Sequence, residues 1–252
     1  MRGFILVVSA VLGLACRHRP ALPPANLSAP THTMADLVYE GTVSRRGEAD
    51  PPLYRYERHV VETADGLRST HRTFTLQGAP VLEHWAEHDR DYTLHAFGEV
   101  HGQTGVVGLV EVSPDGSATY RTTVKGRSRT RTEPAGAPLQ AGPTLFGFVL
   151  AHWDTLVDGA RVPIRFVVLE KNRSFPFELV VVDHSPNTTT VQMVPESRWL
   201  ARMVPPTYLV FETSSRRILR YSGIVPPLVE HNGKLQTLDA TVVYTHVRSE
   251  YR

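Results

Sequence analysis

Through most of the chain apolar and polar residues alternate with a period of two, the signature of strands buried on one face. Runs at 37–44, 53–63, 67–77, 81–89, 91–99, 105–113 and 117–124 predict a meander of strands. Ala64-Asp65-Gly66, Gly78-Ala79-Pro80 and Pro114-Asp115-Gly116 supply turn chemistry between them. Many alternate positions are Arg, His, Thr or Glu, so each strand is expected to keep one wet face. The period becomes helical once. Leu145, Val149, His152, Trp153 and Leu156 form one broad apolar face, with Pro143 suited to a first turn and Gly159 to a stop. It then returns to two: Ile164, Phe166 and Val168 face one way, and after Lys171-Asn172-Arg173-Ser174 so do Phe175, Phe177, Leu179 and Val181.

Residues 133–143 read as a loop before that helix. Beyond the hairpin, 188–194 is a strand, and 197–203 is a turn or two of helix ended by Pro205-Pro206. A hairpin follows at 208–213 and 217–222. In the last run, 235–247, Leu238, Ala240, Val242, Tyr244 and His246 share a face. The expected fold is mainly β: a curled antiparallel sheet or incomplete β-barrel of about twelve strands, with one main α-helix packed on or in it.

Composition adds a domain count and a compartment. With 252 residues, 41% apolar and 21% charged, the chain suits a single β-rich domain with a real core, here placed at 36–252. A net charge of +2 over 27 basic and 25 acidic side chains implies no nucleic-acid partner. The one cysteine, Cys16, ends a segment with a single Arg2, an apolar run and small residues, the layout of an export signal too short to span a membrane. With Leu14-Ala15-Cys16 at the junction, residues 1–15 resemble a bacterial lipoprotein signal, although Gly13 stands where that family usually has leucine. The resemblance implies a mature chain anchored in the membrane through a lipid-modified Cys16, palmitate being the kind of chain attached. Arg17 in place of aspartate points, by the enteric rule, to the outer membrane, with the protein facing the periplasm or the surface. Residues 16–35, with Pro20, Pro23, Pro24 and Pro30, read as a tether that holds the domain on the order of 50 Å from the bilayer.

The stretch Leu150-Ala151-His152-Trp153-Asp154-Thr155-Leu156-Val157-Asp158-Gly159, the hairpin after it, and Arg216-Arg217-Ile218-Leu219-Arg220-Tyr221-Ser222-Gly223 resemble an uncharacterised family of exported bacterial β-rich proteins. In architecture the chain is more distantly similar to the half-barrel lipoprotein carriers of the outer-membrane localisation system. Neither resemblance brings a catalytic motif with it.

Four patterns could carry chemistry. His84-Trp85-Ala86-Glu87-His88 matches the H-x-x-E-H zinc signature, which needs both histidines on one helical face and the glutamate over a metal-bound water. Here it falls in a strand-like run, where His84, Glu87 and His88 are expected to be exposed polar positions. His95 and His101 widen the neighbourhood, and a surface metal site there competes with histidines that simply decorate a wet face. Arg121, Lys125, Arg127, Arg129 and Arg131 would line one face of an extended segment and could hold lipid phosphates or an acidic partner, or merely guard a sheet edge. Phe146, Val149, Trp153, Phe166, Phe175 and Phe177 gather around the helix and hairpin, as core or as the lining of a ligand cavity. Gly102-Gln103-Thr104-Gly105 reads as a turn, and there is no G-x-S-x-G, P-loop or C-x-x-C. No cofactor is expected. The expected function is non-catalytic: binding of a lipid or other apolar ligand in a half-barrel cavity. The alternatives are a scaffold for another envelope protein and, remotely, a zinc-dependent hydrolase.

Overall fold

The computed structural model describes residues 36–47, 51–134 and 136–248. The predicted signal 1–15, Cys16 and the tether lie outside the described residues. The elements are β1 (Leu37–Arg45), β2 (Tyr54–Thr63), β3 (Gly66–Thr75), β4 (Pro80–His88), β5 (Leu94–His101), β6 (Val106–Val112), β7 (Ala118–Val124), β8 (Arg127–Glu133) and β9 (Leu139–Gln140). Then come α1 (Gly142–Ala151), α2 (Trp153–Val157), β10 (Val162–Val168), β11 (Arg173–His184), β12 (Thr188–Pro195), α3 (Arg198–Met203), β13 (Thr207–Glu212), β14 (Ile218–His231) and β15 (Lys234–His246).

All 15 strands belong to one curled sheet, in the order 8-7-6-5-4-3-2-1-15-14-13-12-11-10-9. The first and last strands therefore meet in the middle, with Tyr39 opposite His246 and Val43 opposite Val242. Every pairing is antiparallel except that of β9 with β10. The expected mainly β, curled and incompletely closed fold is borne out, with more strands than the pattern predicts.

One extra strand and one lengthened strand have local causes. The basic run is not one extended face: Lys125 (φ 49) and Gly126 (φ 75) turn the chain back, and β8 pairs with β7. In β14 the pair Pro226-Pro227, which cannot donate to a ladder, sits in a register shift between Val225 and Leu228, and pairing resumes beyond it. Asn232 (φ 51) and Gly233 (φ 71) then make the tight turn into β15.

Outside β3–β5 the concave side is mainly apolar, and the helices pack into it. Leu145 and Val149 of α1 and Trp153 and Leu156 of α2 are buried as the spacing predicts. The helix breaks at His152 (φ −108, ψ 18), whose ring lies 4.1 Å from that of Phe148. Phe146 packs edge-on to Tyr244 and Phe211, at 5.7 and 6.4 Å between ring centroids. Gly147 allows Tyr92 to lie flat on the helix, since a Cβ there would sit 2.0 Å from the tyrosine ring. Gly147→Ala would gain up to about 1 kcal/mol of helix propensity. Overpacking against a buried, positive-φ tyrosine (φ 64) outweighs that gain. A net loss of about 2 kcal/mol is expected in urea unfolding.

The convex side carries ion pairs around a small apolar cluster of Trp85, Ala96 and Leu109. Arg72 pairs with Glu83 at 2.7 Å, Arg68 with Glu87 at 3.4 Å and Arg161 with Glu178 at 2.8 Å. A lipid-spanning barrel carries the reverse pattern, apolar outward.

The free ends of the sheet are fastened by side chains rather than by a ladder. Glu133, at the end of β8 and 5% exposed, accepts from the Ser174 backbone N–H at 3.0 Å and the Ser174 hydroxyl at 2.7 Å. Arg165 of β10 stands 3.6 Å away and Arg131 3.2 Å. Burial pushes the Glu133 carboxyl up, but the Ser174 bonds and the arginine charge outweigh it and hold its pKa below the ordinary value. Beside this clasp, Leu169 reaches across to Tyr120, Val110 and Phe97 in a second apolar cluster.

Candidate functional site

Curling leaves a cavity of about 270 Å³ between the concave faces of β1–β5, the start of α1, the end of β10 and the bulged part of β14. Its apolar walls include Val43, Leu82, Phe97, Leu145, Phe166 and Val242. Glu170, Pro226 and Thr237 line it while remaining exposed, so they mark its mouth. Gln103 fastens the bulge over that mouth. Its amide receives the Leu228 N–H at 2.8 Å and donates to the Leu228 carbonyl at 2.9 Å.

One wall is polar. Strand alternation puts Ser69, His71 and Thr73 of β3, Leu82, His84 and His88 of β4, and Phe97, Glu99 and His101 of β5 on the concave side. Register sets His71 directly opposite His84, and His84 opposite Glu99. The His84 Nε2 lies 3.0 Å from the Glu99 carboxylate, and both residues are under 10% exposed. His71 Nε2 lies 2.7 Å from Arg58 Nη1; as arginine can only donate, His71 accepts through Nε2. Burial first, then the Arg58 guanidinium and His84, hold the His71 pKa well below the ordinary histidine value. Arg58 also donates to the Pro143 carbonyl at 2.6 Å and to Ser69 Oγ at 3.0 Å, tying the start of α1 to the sheet. Ser69 Oγ continues to His88 Nε2 at 2.8 Å.

The tyrosines here are kept protonated. Burial, then the neighbouring Tyr39, pushes the Tyr56 and Tyr244 hydroxyls well above their usual pKa. Burial also raises Tyr221 to about 12, and its hydroxyl donates to the Ile224 carbonyl at 2.7 Å.

His101 donates from Nε2 to the Pro226 carbonyl at 3.0 Å, because a carbonyl oxygen can only accept. Its Nδ1 and the second carboxylate oxygen of Glu99, Oε1, are buried without a hydrogen-bond partner. Each is an acceptor left open in the wall of the cavity.

The sequence-predicted residues divide. Phe146 and Phe166 line the cavity. Val149, Trp153 and Phe177 belong to the main core, and half-buried Phe175 packs against it beneath the Arg173 guanidinium. Arg121 lies on the face opposite Arg127, Arg129 and Arg131, since Arg131 is registered with Tyr120 and Arg121 with Thr130. Arg121 pairs with Glu111 on the convex side, and Lys125 is in the turn, so the five do not form one stripe.

The H-x-x-E-H match lies on a strand, and this is what separates its parts. His84 and His88 point inward and are buried, not exposed; Glu87 points outward to Arg68. Among the described residues no three His, Cys, Asp or Glu side chains are grouped to hold a metal ion. His95 stands 3.8 Å from Asp89. Arg58, His71 and Glu99 were not signalled by any motif; only strand parity, combined with register, brings them together.

No protein-family model matches the chain, and no curated protein matches its sequence. Solved structures that match include a porin-like protein from Bacteroides uniformis, 10% identical, over 82% of this chain and 96% of that one. The TM-score is 0.23, a likeness that carries no argument about function.

Proposed function

We propose that this protein is a non-catalytic, lipid-anchored component of the bacterial cell envelope that takes an apolar or amphipathic ligand, such as a lipid or lipidated chain, into its interior cavity. The observation that carries the reading is the cavity itself. At about 270 Å³ it lies near the lower end of the ~300–1,000 Å³ typical of small-molecule sites, and it combines apolar walls with a few convergent polar groups. A fully packed core would leave no such space. The anchor rests on the signal-like segment ending at Cys16, which would hold the domain near a membrane from which an apolar ligand could enter.

Native mass spectrometry of the purified mature chain tests the reading, with a co-purifying mass released on denaturation as the expected result. Thr237→Trp, at the exposed rim, should weaken uptake of a fluorescent lipid at least about tenfold, worth ~1.4 kcal/mol, with the melting temperature unchanged. Uptake that is unaffected by a tryptophan at the mouth would remove the cavity from the account.

A second reading has its own observation. β8 is an unpaired sheet edge, with Arg127, Arg129 and Arg131 exposed on one face. As a scaffold, the protein would offer that edge to an acidic segment of another envelope protein, and a stoichiometric partner lost on charge reversal of these three arginines would favour it.

A further inference from the structure

We propose that the polar wall of the cavity is a receptor for a primary ammonium group carried on an apolar chain. This rests on the cavity reading above and names the chemistry of its ligand. Two buried acceptors in the wall stand open. Glu99 is 5% exposed and His101 2% exposed, and they stand two residues apart on the same face of β5. Glu99 Oε2 is taken by His84, but Glu99 Oε1 has no partner. His101 uses Nε2 on the Pro226 carbonyl, and its Nδ1 has none.

Buried acceptors left unmade are costly, and a buried carboxylate oxygen is the costliest of the common ones. Both are therefore completed by a ligand that donates hydrogen bonds, not by one that accepts them. Neighbouring donors are committed elsewhere: Tyr221 to Ile224, and Arg58 to His71, Ser69 and Pro143.

Charge selects among donors. None of the residues lining the cavity is lysine or arginine, whereas Glu99 lies in its wall and Glu170 at its mouth. An anionic head, such as a fatty-acid carboxylate or a bare phosphate, would meet the open oxygen of Glu99 and the open Nδ1 of His101, both acceptors. A hydroxyl has one hydrogen to give. A primary ammonium has three, and it brings the positive charge that Glu99 faces the cavity without. Leu82, Phe97 and Leu145 then surround the first carbons of the chain.

Four probes with the same chain separate the possibilities by calorimetric titration into the full mature protein: octylamine, octanol, octanoate and octyltrimethylammonium. Octylamine should bind roughly ten- to a hundredfold more tightly than octanoate, the range expected for hydrogen bonds to a charged group. It should also exceed octyltrimethylammonium, which has the charge but no N–H. Glu99→Gln should remove most of the preference for octylamine over octanoate, with folding checked by circular dichroism. If octanoate or octyltrimethylammonium binds as tightly as octylamine, the ammonium receptor is overturned while the cavity stands. Should none of the four bind, the cavity reading fails with it. The wild-type comparison decides between these outcomes even if the Glu99 variant does not fold.

Discussion

Replacing Arg58 with methionine is expected to cost about 4 kcal/mol of unfolding free energy, the largest effect of any single change considered for this protein. Methionine keeps much of the length and apolar stem, so the loss isolates the guanidinium. That residue is 1% exposed and holds three acceptors from two elements: His71 and Ser69 of β3, and the Pro143 carbonyl at the start of α1. Removing it strands buried acceptors, each worth about 1–3 kcal/mol, and unties the helix from the sheet. Arg58→Lys should rescue only part, because a point charge cannot span the fork. Urea unfolding of the three proteins measures this; a loss below about 1 kcal/mol for the methionine variant would mean that the helix is held by packing alone.

The same cluster sets an acid response. The folded His71 pKa is depressed, while the unfolded ring titrates near the ordinary value of about 6.5. As pH falls below that value the unfolded chain takes up a proton that the folded one refuses. Stability is therefore full above about pH 6.5 and declines below it, by up to about 1.4 kcal/mol per pH unit, until the folded ring titrates. His71→Gln keeps an acceptor for Arg58 and should flatten this slope between pH 6.5 and 5.

Glu133→Ala is the second large effect, about 3 kcal/mol. It removes the acceptor of two Ser174 bonds and leaves the Arg165 and Arg131 charges at the seam uncompensated. Since the Glu133 pKa is lowered in the fold, its contribution is present above the unfolded value of about 4.3 and is lost as pH falls through the folded one. Glu133→Gln should retain part of it, because the amide oxygen still accepts. Equal thermal stability of wild type and the alanine variant would show that the sheet is held curled by Leu169 and its neighbours instead.

Much of the sheet was legible because apolar and polar side chains alternate along most strands, so period-two runs mark β1 to β7, β10 to β13, the first half of β14 and most of β15, although the expected wet face is absent from β3 and β5, which are buried on both sides. The misses have separate causes. β8 buries only its last residue, so Arg127 to Thr132 shows no apolar face for a pattern to find. Pro226-Pro227 hid the second half of β14, a place where a bulge overrides the usual meaning of proline in a strand. Asn232-Gly233 was there to be read as a hairpin turn.

The site was harder. Alternation shows that His84 and His88 share a face but not which face, and polar side chains suggest the wet one. The structure turns them inward, where Glu99, Ser69 and the Tyr92 ring satisfy them. Aromatic clustering found Phe146 and Phe166 but could not separate cavity from core, because both are apolar. The discriminating feature is the polar wall, and it exists only once register places three strands side by side.

The junction of β1 with β15 has a kinetic meaning. Tyr39 and His246 are neighbours in the sheet but far apart in the chain, whereas strands on either side pair with their sequence neighbours. Joining so distant a pair from a disordered chain costs roughly 5 kcal/mol of loop entropy. Two hairpin meanders, β2 to β8 and β10 to β15, can form locally before that cost is met. The Glu133–Ser174 seam joins residues only 41 apart in the chain, so closing it costs less loop entropy, by about 1.4 kcal/mol, than pairing β1 with β15. On loop entropy alone, the β1–β15 junction is therefore the costliest pairing in the sheet to make, and it joins meanders that the seam can already have drawn together.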